Sequence, residues 1–489
     1  MSAGAPCASP RTALYRRRQP ERTVLYRSVQ GHLATWLELT RDSASGTSVP
    51  AYVEREFRRY LDCGILARGF ARAHCGQCGH DFLIAYSCKG RGVCPACNAR
   101  RMVETAAHLT DHVMPRLPVR QWVLSVPKRL RYFVQNDRAV ETMALHIFLS
   151  ALEQGLRARS PGAGPTSRIG AVAFIHRFGA LLNAHVHFHC AVIEGVFEAD
   201  GAGGARFHEA RGVDLETIAD IQAKVRRRLL RATARRGLLE REDAQAMGAW
   251  EHSGGFSLDA SVRIEAQDRE GLERLLRYCA RPAFALERLR EIDPEHLVYE
   301  SVKPGPGGSL TLMLTPLELL DRLAALIPPP RRHRHRYFGV LAPNSPLRAV
   351  VTALAGQRAE APAAQTPATA PGPPPPAPAS ASAETPQAAE EPIHRRALRY
   401  AWALLLARIY EFFPLLCPKC GGEIRIIAFI NEAMAVREIL AYLGEPTSPP
   451  RMASARGPTL WQMTDAGQGE LDPQAQPAPD YEFDQRIAW

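Results

Sequence analysis

The sequence predicts an α+β protein in which helices pack on an antiparallel sheet. Two observations lead to this class. Apolar runs typical of strands follow one another across short gaps or tight turns, as between 169–175 and 185–197 and between 297–302 and 310–315. Segments with apolar residues three and four positions apart, typical of helices, lie between these strand pairs. Hairpin connections favour antiparallel pairing, so we expect a sheet covered by helices.

The composition sets the size and charge of this fold. The chain has 489 residues, 46% of them hydrophobic, which is enough for about two to four folded units. Lys and Arg number 61 against 50 Asp and Glu, for a net charge of +11. Such a basic chain is typical of proteins that meet nucleic acid or another anionic surface.

The sequence also predicts where the protein resides. No apolar run is long enough for a transmembrane helix, and no apolar stretch follows the N-terminal arginines as a secretion signal would require. The 11 Cys are therefore expected to be reduced thiols or metal ligands in the cytoplasm.

The composition changes along the chain and predicts six regions. Residues 358–392 contain 12 Ala and 10 Pro and no aromatic residue, so they cannot bury enough surface to fold. The regions are a basic, helical N-terminal arm (1–50), a zinc-binding domain (51–110), the α+β domain (118–350), a disordered Ala/Pro linker (358–392), a small C-terminal unit with a Cys pair (393–445) and a mobile tail (446–489).

Periodicity places the individual elements in order. Helices are expected at 23–41 and 52–62, before the α+β domain. Within that domain Pro127 ends a strand and Pro282 stops a helix, because proline cannot donate a backbone hydrogen bond. The expected strands are 122–126, 169–175, 185–197, 297–302 and 310–315, and the expected helices are 140–156, 215–236, 270–280, one from Pro316 and one at 397–413.

Four cysteines have the spacing of a structural zinc ribbon. Cys75-x-x-Cys78 is followed, after 15 residues, by Cys94-x-x-Cys97. Each pair can place two thiolates about 2.3 Å from one Zn²⁺, and two pairs complete a tetrahedron with no open position. Four unrelated buried thiols are the alternative interpretation. Nearby alternative ligands, which we regard as bystanders, are Cys63, His74, His80 and Cys88.

A second cysteine pair lies near the C-terminus. Cys417 and Cys420 form half of a metal site, and no second pair follows them in the sequence. His394 or one of the N-terminal cysteines could supply the missing ligands.

Three histidines alternate along one predicted strand. His185, His187 and His189 project to the same face, about 6–7 Å apart. Neutral imidazoles bind divalent cations well, and three of them are costly to bury without a ligand. A hydrolytic zinc centre would need an aspartate at position 189, so we disfavour one.

A cation at this strand can polarise a phosphate oxygen if the protein supplies a nucleophile. Tyrosine can serve by forming a covalent phosphotyrosine. Tyr278, near the end of the helix at 270–280, is one candidate, and a half-exposed core tyrosine is the alternative interpretation.

The order of these motifs resembles the rolling-circle transposases of the insertion sequence 91 family. The similarity extends over about residues 10–350, with a weaker match at 417–429. The matching stretches are 63–72, 87–102, 122–127, 182–189, 278–282, 314–320 and 335–344.

The resemblance implies an HUH-type endonuclease, with an antiparallel sheet that carries two metal-binding histidines and a neighbouring helix that carries the tyrosine. His185 and His187 match the metal pair, Tyr278 matches the nucleophile, and the four-cysteine ribbon matches the family's zinc-binding region. His189 is the candidate third ligand. Arg274 stands where two-tyrosine members have their second tyrosine, which implies the single-tyrosine branch.

The implied function is DNA transposition by nicking and rejoining single-stranded DNA at element ends and target DNA, through a 5′-phosphotyrosine. The implied cofactors are structural Zn²⁺ and catalytic Mg²⁺ or Mn²⁺, and the DNA would associate the protein with the bacterial nucleoid. Two alternatives are a non-catalytic zinc-ribbon DNA-binding protein and a rolling-circle replication or mobilisation initiator.

Two basic segments are candidate DNA contacts, although each could be a solvated surface. Guanidinium groups bind backbone phosphates, and Tyr337 and Phe338 could stack on bases. The candidate residues are Arg226, Arg227, Arg231, Arg331, Arg332, Arg334 and Arg336.

Overall fold

A computed structural model describes residues 17–41, 48–250, 255–301, 310–356, 417 and 419–456. The predicted linker, the predicted helix at 397–413 and His394 lie outside these residues, as does most of the predicted tail. Among the helices that are described, none is both long and apolar enough to cross a membrane.

Helices and strands are interspersed along the described chain. The helices are α1 Val24–Arg41, α2 Ala51–Asp62, α3 Pro95–His112, α4 Lys128–Asn136, α5 Arg138–Ala158, α6 Leu215–Arg235, α7 Arg241–Ala249, α8 Arg269–Ala280, α9 Pro316–Leu326, α10 Arg348–Gly356 and α11 Ala433–Tyr442. The strands are β1 Phe70–Cys75, β2 Asp81–Ala85, β3 Val119–Ser125, β4 Gly170–Phe178, β5 Ala184–Ile193, β6 Gly195–Ala199, β7 Ala205–Glu209, β8 Ser257–Asp259, β9 Arg263–Ile264, β10 Leu289–Glu291, β11 Leu297–Glu300, β12 Thr311–Leu314, β13 His335–Gly339 and β14 Ile424–Ile430.

The central sheet is antiparallel throughout, which confirms the predicted α+β class. Its strand order is β13-β4-β5-β3-β8, and β9 also pairs with β3. One face packs on a core with α4, α5 and α6, and the other face packs on a core with α3, α8 and α10. The sheet is therefore the middle of three layers.

Alternation along β5 assigns its side chains to these two faces. Val186 and Phe188 enter the core beneath α5 and α6, while Ala191 and Ile193 enter the core beneath α3 and α8. The odd-numbered histidines of β5 share the second face, because successive side chains of a strand point to opposite sides. They therefore face the layer that contains α8.

The strand predicted at 185–197 is in fact two strands, and the bend between them falls at Glu194. The Glu194 carboxylate is buried, and it accepts a 2.6 Å hydrogen bond from Arg120 and a second one from Arg263. After this bend the chain leaves the main sheet, and β6 pairs with β7 in a separate two-stranded sheet. Sequence periodicity could not show the bend, because the apolar pattern continues through it.

The C-terminal strand joins the N-terminal half of the chain. β14 pairs antiparallel with β1, so that Cys75 lies opposite Ile424 and the hairpin β1-β2 becomes a three-stranded sheet. From α11, Val436 and Leu440 pack in a small core with Leu66 and Phe70. Part of the segment 393–445, which the sequence predicted to be a separate C-terminal unit, therefore completes the sheet of the Cys-rich region.

Candidate functional site

Three imidazoles converge on the sheet face that α8 covers. His187 and His189 lie on β5, and His176 lies on β4 directly opposite His187. One ligand atom from each histidine lies within 4.8 Å of those from the other two. The rings of His176 and His189 are 4.3 Å apart between centroids, and His176 and His189 are buried. This group has the size and chemistry of a three-histidine site for a divalent cation.

Main-chain carbonyl groups determine which ring nitrogens can bind a cation. His176 Nε2 lies 2.6 Å from the carbonyl oxygen of Cys279, and His187 Nδ1 lies 3.1 Å from that of His185. A carbonyl oxygen only accepts, so each of these nitrogens carries the proton. The lone pairs are then on His176 Nδ1 and His187 Nε2. His176 Nδ1 is buried and has no hydrogen-bond partner among the described residues, as expected of a nitrogen that binds a metal.

His185 is not part of this group, contrary to the expectation from the sequence. The group consists of His176, His187 and His189, and the ring of His185 lies 5.0 Å from that of His187. Sequence reasoning missed His176 because it lies one residue beyond the predicted strand 169–175. The register between β4 and β5, which places it opposite His187, is not visible in the sequence.

Burial keeps His176 and His185 neutral. Burial, with the neighbouring His189 and His187, lowers the pKa of His176 well below its ordinary value. Burial, with Arg131 and His187, lowers the pKa of His185 to about 3. Neutral imidazoles retain the lone pair that a metal ligand requires.

Tyr278 lies beside the imidazoles, near the C-terminal end of α8. The helix begins at Asp268, whose carboxylate accepts a 2.7 Å hydrogen bond from the Gly271 backbone. Leu272, Leu275, Leu276 and Cys279 are buried against the sheet. Tyr278 is 40% exposed, and its ring is 5.5 Å from that of His189 and nearly perpendicular to it. The hydroxyl-bearing ring is therefore both accessible and next to the candidate cation site.

Arg281 covers the other side of Tyr278. Its guanidinium carbon lies 4.3 Å from the centre of the Tyr278 ring and 5.8 Å from that of Phe178. Such contacts hold a cation over an aromatic face. Arg281 Nε is buried and has no hydrogen-bond partner within the described chain. Arg281 lies in the matching stretch 278–282, but the sequence alone indicates no role for it.

Eight cysteines form two clusters of four. One contains Cys63, Cys88, Cys94 and Cys97, and its sulfur atoms are 3.5–3.7 Å apart where they are in contact. The other contains Cys75, Cys78, Cys417 and Cys420. Tetrahedral zinc with Zn–S bonds of about 2.3 Å requires sulfur atoms about 3.8 Å apart. Both clusters therefore fit structural Zn²⁺.

The predicted ribbon grouping was wrong, because the structure places its two pairs in different clusters. Cys94 and Cys97 meet Cys63 and Cys88, which the sequence treated as bystanders. Cys75 and Cys78 meet the C-terminal pair, whose ligands the sequence left open. His74, which the sequence named as an alternative zinc ligand, instead contacts a carboxylate: its Nδ1 lies 2.6 Å from Asp81 Oδ1.

Hydrogen bonds within each cluster stabilise one thiolate in particular. Bonds from Cys63, Cys88 and Cys94 lower the pKa of Cys97. The backbone N–H of Cys78 lowers the pKa of Cys75 to about 6, although partial desolvation opposes this effect. Hydrogen bonds to Cys63, Cys88 and Cys97 raise the pKa of Cys94, so a bound cation would be needed to hold all four sulfurs of its cluster as thiolates.

Two regions of the chain match families of known proteins. Residues 32–126 match the family described as "Transposase zinc-binding domain", and residues 170–348 match the family described as "Putative transposase". Together the two matches support a transposase of the insertion sequence 91 family. The second match includes all three histidines of the converging group and Tyr278, and the first includes six of the eight clustered cysteines.

One curated relative is the "Putative transposase y4qJ" of Sinorhizobium fredii, which is 28% identical over 163 residues. The match covers 32% of this chain and 39% of that relative. No solved structure matches the chain.

The arginines predicted to bind DNA divide into two groups. Arg227, Arg231 and Arg331 are exposed. The other four have protein partners: Arg226 donates to carbonyl oxygens at the end of α7, Arg334 donates to Asn98, and Arg332 and Arg336 contact Glu141. For these four the structure shows an intramolecular role that the sequence could not reveal.

Glu141 is the centre of a buried charge cluster behind the histidine face. Its side chain is fully buried, and its carboxylate contacts Arg177, Arg332 (3.4 Å) and Arg336 (2.7 Å). Burial and the neighbouring Arg332 and Arg336 lower the pKa of Arg177 to about 10, so it remains charged at neutral pH. The cluster ties α5 to β4 and β13.

Proposed function

We propose that this chain is a transposase that nicks and rejoins single-stranded DNA, with Tyr278 as the nucleophile and His176, His187 and His189 as the ligands of a divalent cation. The observation that carries the proposal is the position of a half-exposed tyrosine 5.5 Å, ring to ring, from a group of three converging imidazoles. Membership of a transposase family supports DNA as the substrate.

In the proposed step, the Tyr278 oxygen loses its proton and bonds to the scissile phosphorus. The bond from phosphorus to the 3′ oxygen breaks, and this oxygen takes up a proton to leave as a 3′-hydroxyl. The 5′-phosphotyrosine conserves the energy of the phosphodiester, so the reverse attack by a 3′-hydroxyl rejoins a strand. Neither direction requires an external energy source.

The surrounding residues prepare this step. A divalent cation at the three imidazoles supplies positive charge that polarises the phosphate. The carbonyl oxygens of Cys279 and His185 hold His176 and His187 in the tautomers that such a cation requires. Arg281, already against the Tyr278 ring, has the charge and planar geometry to bind a phosphate oxygen.

A concentration of positive charge suggests a path for the DNA between the zinc-binding region and the central sheet. Burial, with Arg91 and Arg101 close by, lowers the pKa of Arg334 to about 10. Burial and Arg101 also lower the pKa of Arg91. These three arginines therefore concentrate positive charge between the two regions, and an anion bound nearby would relieve their mutual repulsion.

The test uses the purified full chain with Mn²⁺ and labelled single-stranded DNA taken from sequences that flank its gene. Covalent product is measured as an SDS-stable protein–DNA adduct. The wild-type chain should form the adduct, and Tyr278→Phe should not. Tyr337→Phe, which changes a tyrosine of β13, is the matched control and should form adduct at the wild-type level.

Other results would support other functions. An adduct with Tyr278→Phe that disappears with Tyr337→Phe would move the nucleophile to Tyr337. If all variants bind the DNA but none forms an adduct with any flanking strand, the chain is better explained as a zinc-ribbon DNA-binding protein. Cleavage only at a replication origin would indicate an initiator.

A further inference from the structure

The turns that present Cys75/Cys78 and Cys417/Cys420 have the same backbone hydrogen bonds. Gly79 N donates to Cys75 O at 3.0 Å, and Gly421 N donates to Cys417 O at 2.9 Å. Cys75 N donates to His80 O at 2.9 Å, and Cys417 N donates to Gly422 O at 2.7 Å. The two turns are therefore copies of one geometry, although they lie at opposite ends of the described chain.

The glycine that follows each pair explains why this turn forms. Gly79 and Gly421 have φ values of 67° and 73°, in the left-handed region that other residues rarely adopt. A Cβ at either position would meet no atom within 4 Å, so the glycines serve backbone conformation and leave the packing unaffected. Both Cys-x-x-Cys-Gly segments thus fold into loops whose sulfur atoms point to one centre.

The sulfur atoms of the two turns face each other at metal-binding distances. Cys75 Sγ lies 3.5 Å from Cys420 Sγ, and Cys78 Sγ lies 3.6 Å from Cys417 Sγ. A disulfide would require about 2.05 Å, whereas two thiolates on one tetrahedral zinc are about 3.8 Å apart. Backbone N–H groups also point at the sulfurs, as with Lys419 N at 3.4 Å from Cys417 Sγ, and this arrangement stabilises thiolates.

We propose that Cys75, Cys78, Cys417 and Cys420 bind one Zn²⁺ that fastens the C-terminal segment, residues 419–456, to the N-terminal zinc-binding region. Four thiolates leave no position for substrate, so the site is structural. It is independent of the proposed DNA chemistry. It also differs from the site at Cys63, Cys88, Cys94 and Cys97, whose four ligands all come from one stretch of the chain.

Contacts along the rest of the C-terminal segment show that it is held against the N-terminal region, as a zinc site at its start would require. Beyond the paired strands β14 and β1, Glu445 forms a 3.0 Å ion pair with Arg17. Ala453 N donates to Gln30 O at 3.0 Å, and Arg456 N donates to the Thr35 hydroxyl at 2.9 Å on α1. The zinc would therefore hold the start of a segment that continues across the N-terminal helices.

The decisive measurement is zinc content per chain in a series of Cys→Ser variants of the full-length protein. All chains in the series carry His176→Ala, so that the three-histidine group does not contribute zinc to the count. The chain with all eight clustered cysteines intact, which serves as the wild type of this series, should contain two zinc ions, one for each cluster. The double variants C75S/C78S and C417S/C420S should each contain about one. The quadruple variant, which combines them, should also contain about one, because both pairs serve the same ion. C63S/C97S is the matched control, and adding it to the quadruple variant should remove the remaining zinc.

A ligand exchange distinguishes loss of metal from loss of folding. Cys420 is exposed, so Cys420→His can keep a zinc ligand there, and this variant should retain close to two zinc ions when Cys420→Ser retains one. The attachment of the C-terminal segment is measured with a chain that carries an inserted protease site within residues 358–392. After cleavage, the C-terminal piece should co-elute with the N-terminal piece on size-exclusion chromatography. Its rate of release should rise at least tenfold after chelation of zinc or in C417S/C420S.

Three results would contradict the proposed zinc site that fastens the C-terminal segment. A quadruple variant with less zinc than either double variant would show that the two pairs bind separate ions. A wild type with one zinc ion, unchanged in C417S/C420S, would show that the pairs bind none. A cut piece that resists chelator and is released only by reductant would show a disulfide in place of the metal.

Discussion

At the scale of single residues, the main feature is that backbone carbonyls select the metal-binding nitrogens. The Cys279 carbonyl, at the C-terminal end of α8, accepts a hydrogen bond from the Nε2–H of His176. The same helix presents Tyr278, so the proposed nucleophile and one proposed cation ligand are positioned by adjacent residues. Small shifts of α8 would move both together.

His176→Ala should abolish tight Mn²⁺ binding at the three-histidine group, because only two of its three imidazoles would remain. Without the cation, adduct formation should fall at least about 100-fold. His185→Ala is the matched control on β5, and we expect its effect to be under about tenfold. Mn²⁺ affinity by calorimetry and adduct yield measure the two effects. Equal losses in both variants would restore His185 as a ligand and contradict the assignment of His176.

Arg281→Ala should reduce the rate of adduct formation about 100-fold if its guanidinium binds the scissile phosphate, since one preorganised donor to a developing charge has this size of effect. Arg281→Lys should recover only part of the rate, because an ammonium cannot bind two oxygens in one plane. Single-turnover rates with saturating DNA measure this.

The control for this change is Arg274→Ala on the same helix, where the side chain is 70% exposed, and its rate should stay within about twofold of the wild type. A rate for Arg281→Ala that also stays within twofold would leave Arg281 with no part in the reaction.

At the scale of elements, Glu141 connects three pieces of structure that would otherwise carry unpaired charge. Arg177 follows His176 on β4, and Arg336 lies on β13, the neighbouring strand. Their guanidinium groups meet the Glu141 carboxylate beneath the sheet, on the side away from the imidazoles. The pairing therefore holds α5, β4 and β13 together close to the site.

Glu141→Gln should lower the free energy of unfolding by about 3–5 kcal/mol, because it leaves buried guanidinium groups without a counter-charge. Urea denaturation followed by circular dichroism gives the value. Glu54→Gln removes an ion pair that is partly exposed on α2 and should cost under about 1 kcal/mol. Similar costs for the two variants would argue that Glu141 is not the charge centre we describe.

At the scale of the whole molecule, the 61 Lys and Arg residues are not all available to a DNA partner. Some have partners within the protein, as Arg336 does at Glu141 and Arg226 does at the end of α7. The exposed remainder includes Arg227 and Arg231 on α6. Only such exposed groups are available to release counterions from DNA.

The double variant Arg227→Ala/Arg231→Ala should reduce the slope of log affinity against log salt concentration by about 1.4 for single-stranded DNA, at about 0.7 per lost phosphate contact. Fluorescence anisotropy titrations at several salt concentrations measure this slope. Arg226→Ala should instead lower thermal stability and leave the slope nearly unchanged. A slope unaffected by the double variant would remove α6 from the DNA-binding surface.

Local patterns predicted the long helices α5, α6 and α8 but missed α3 and several short strands. The three predicted helices lie within a few residues of their expected positions, because apolar spacing and aspartate or proline at the ends act over short distances. The division of the strand at Glu194 was missed, since it depends on Arg263, 69 residues away.

Residue types and spacing by themselves determined the antiparallel α+β class, the thiolate and imidazole character of the sites, and the resemblance to a transposase family. Only the tertiary structure decided which ligands meet. Strand register brings His176 to His187 and leaves out His185, and the pairing of β1 with β14 brings Cys75 and Cys78 to Cys417 and Cys420. A metal site forms only when its ligand atoms lie within a few ångströms of one another. Between residues far apart in the chain, such distances are set by strand register and packing rather than by local spacing.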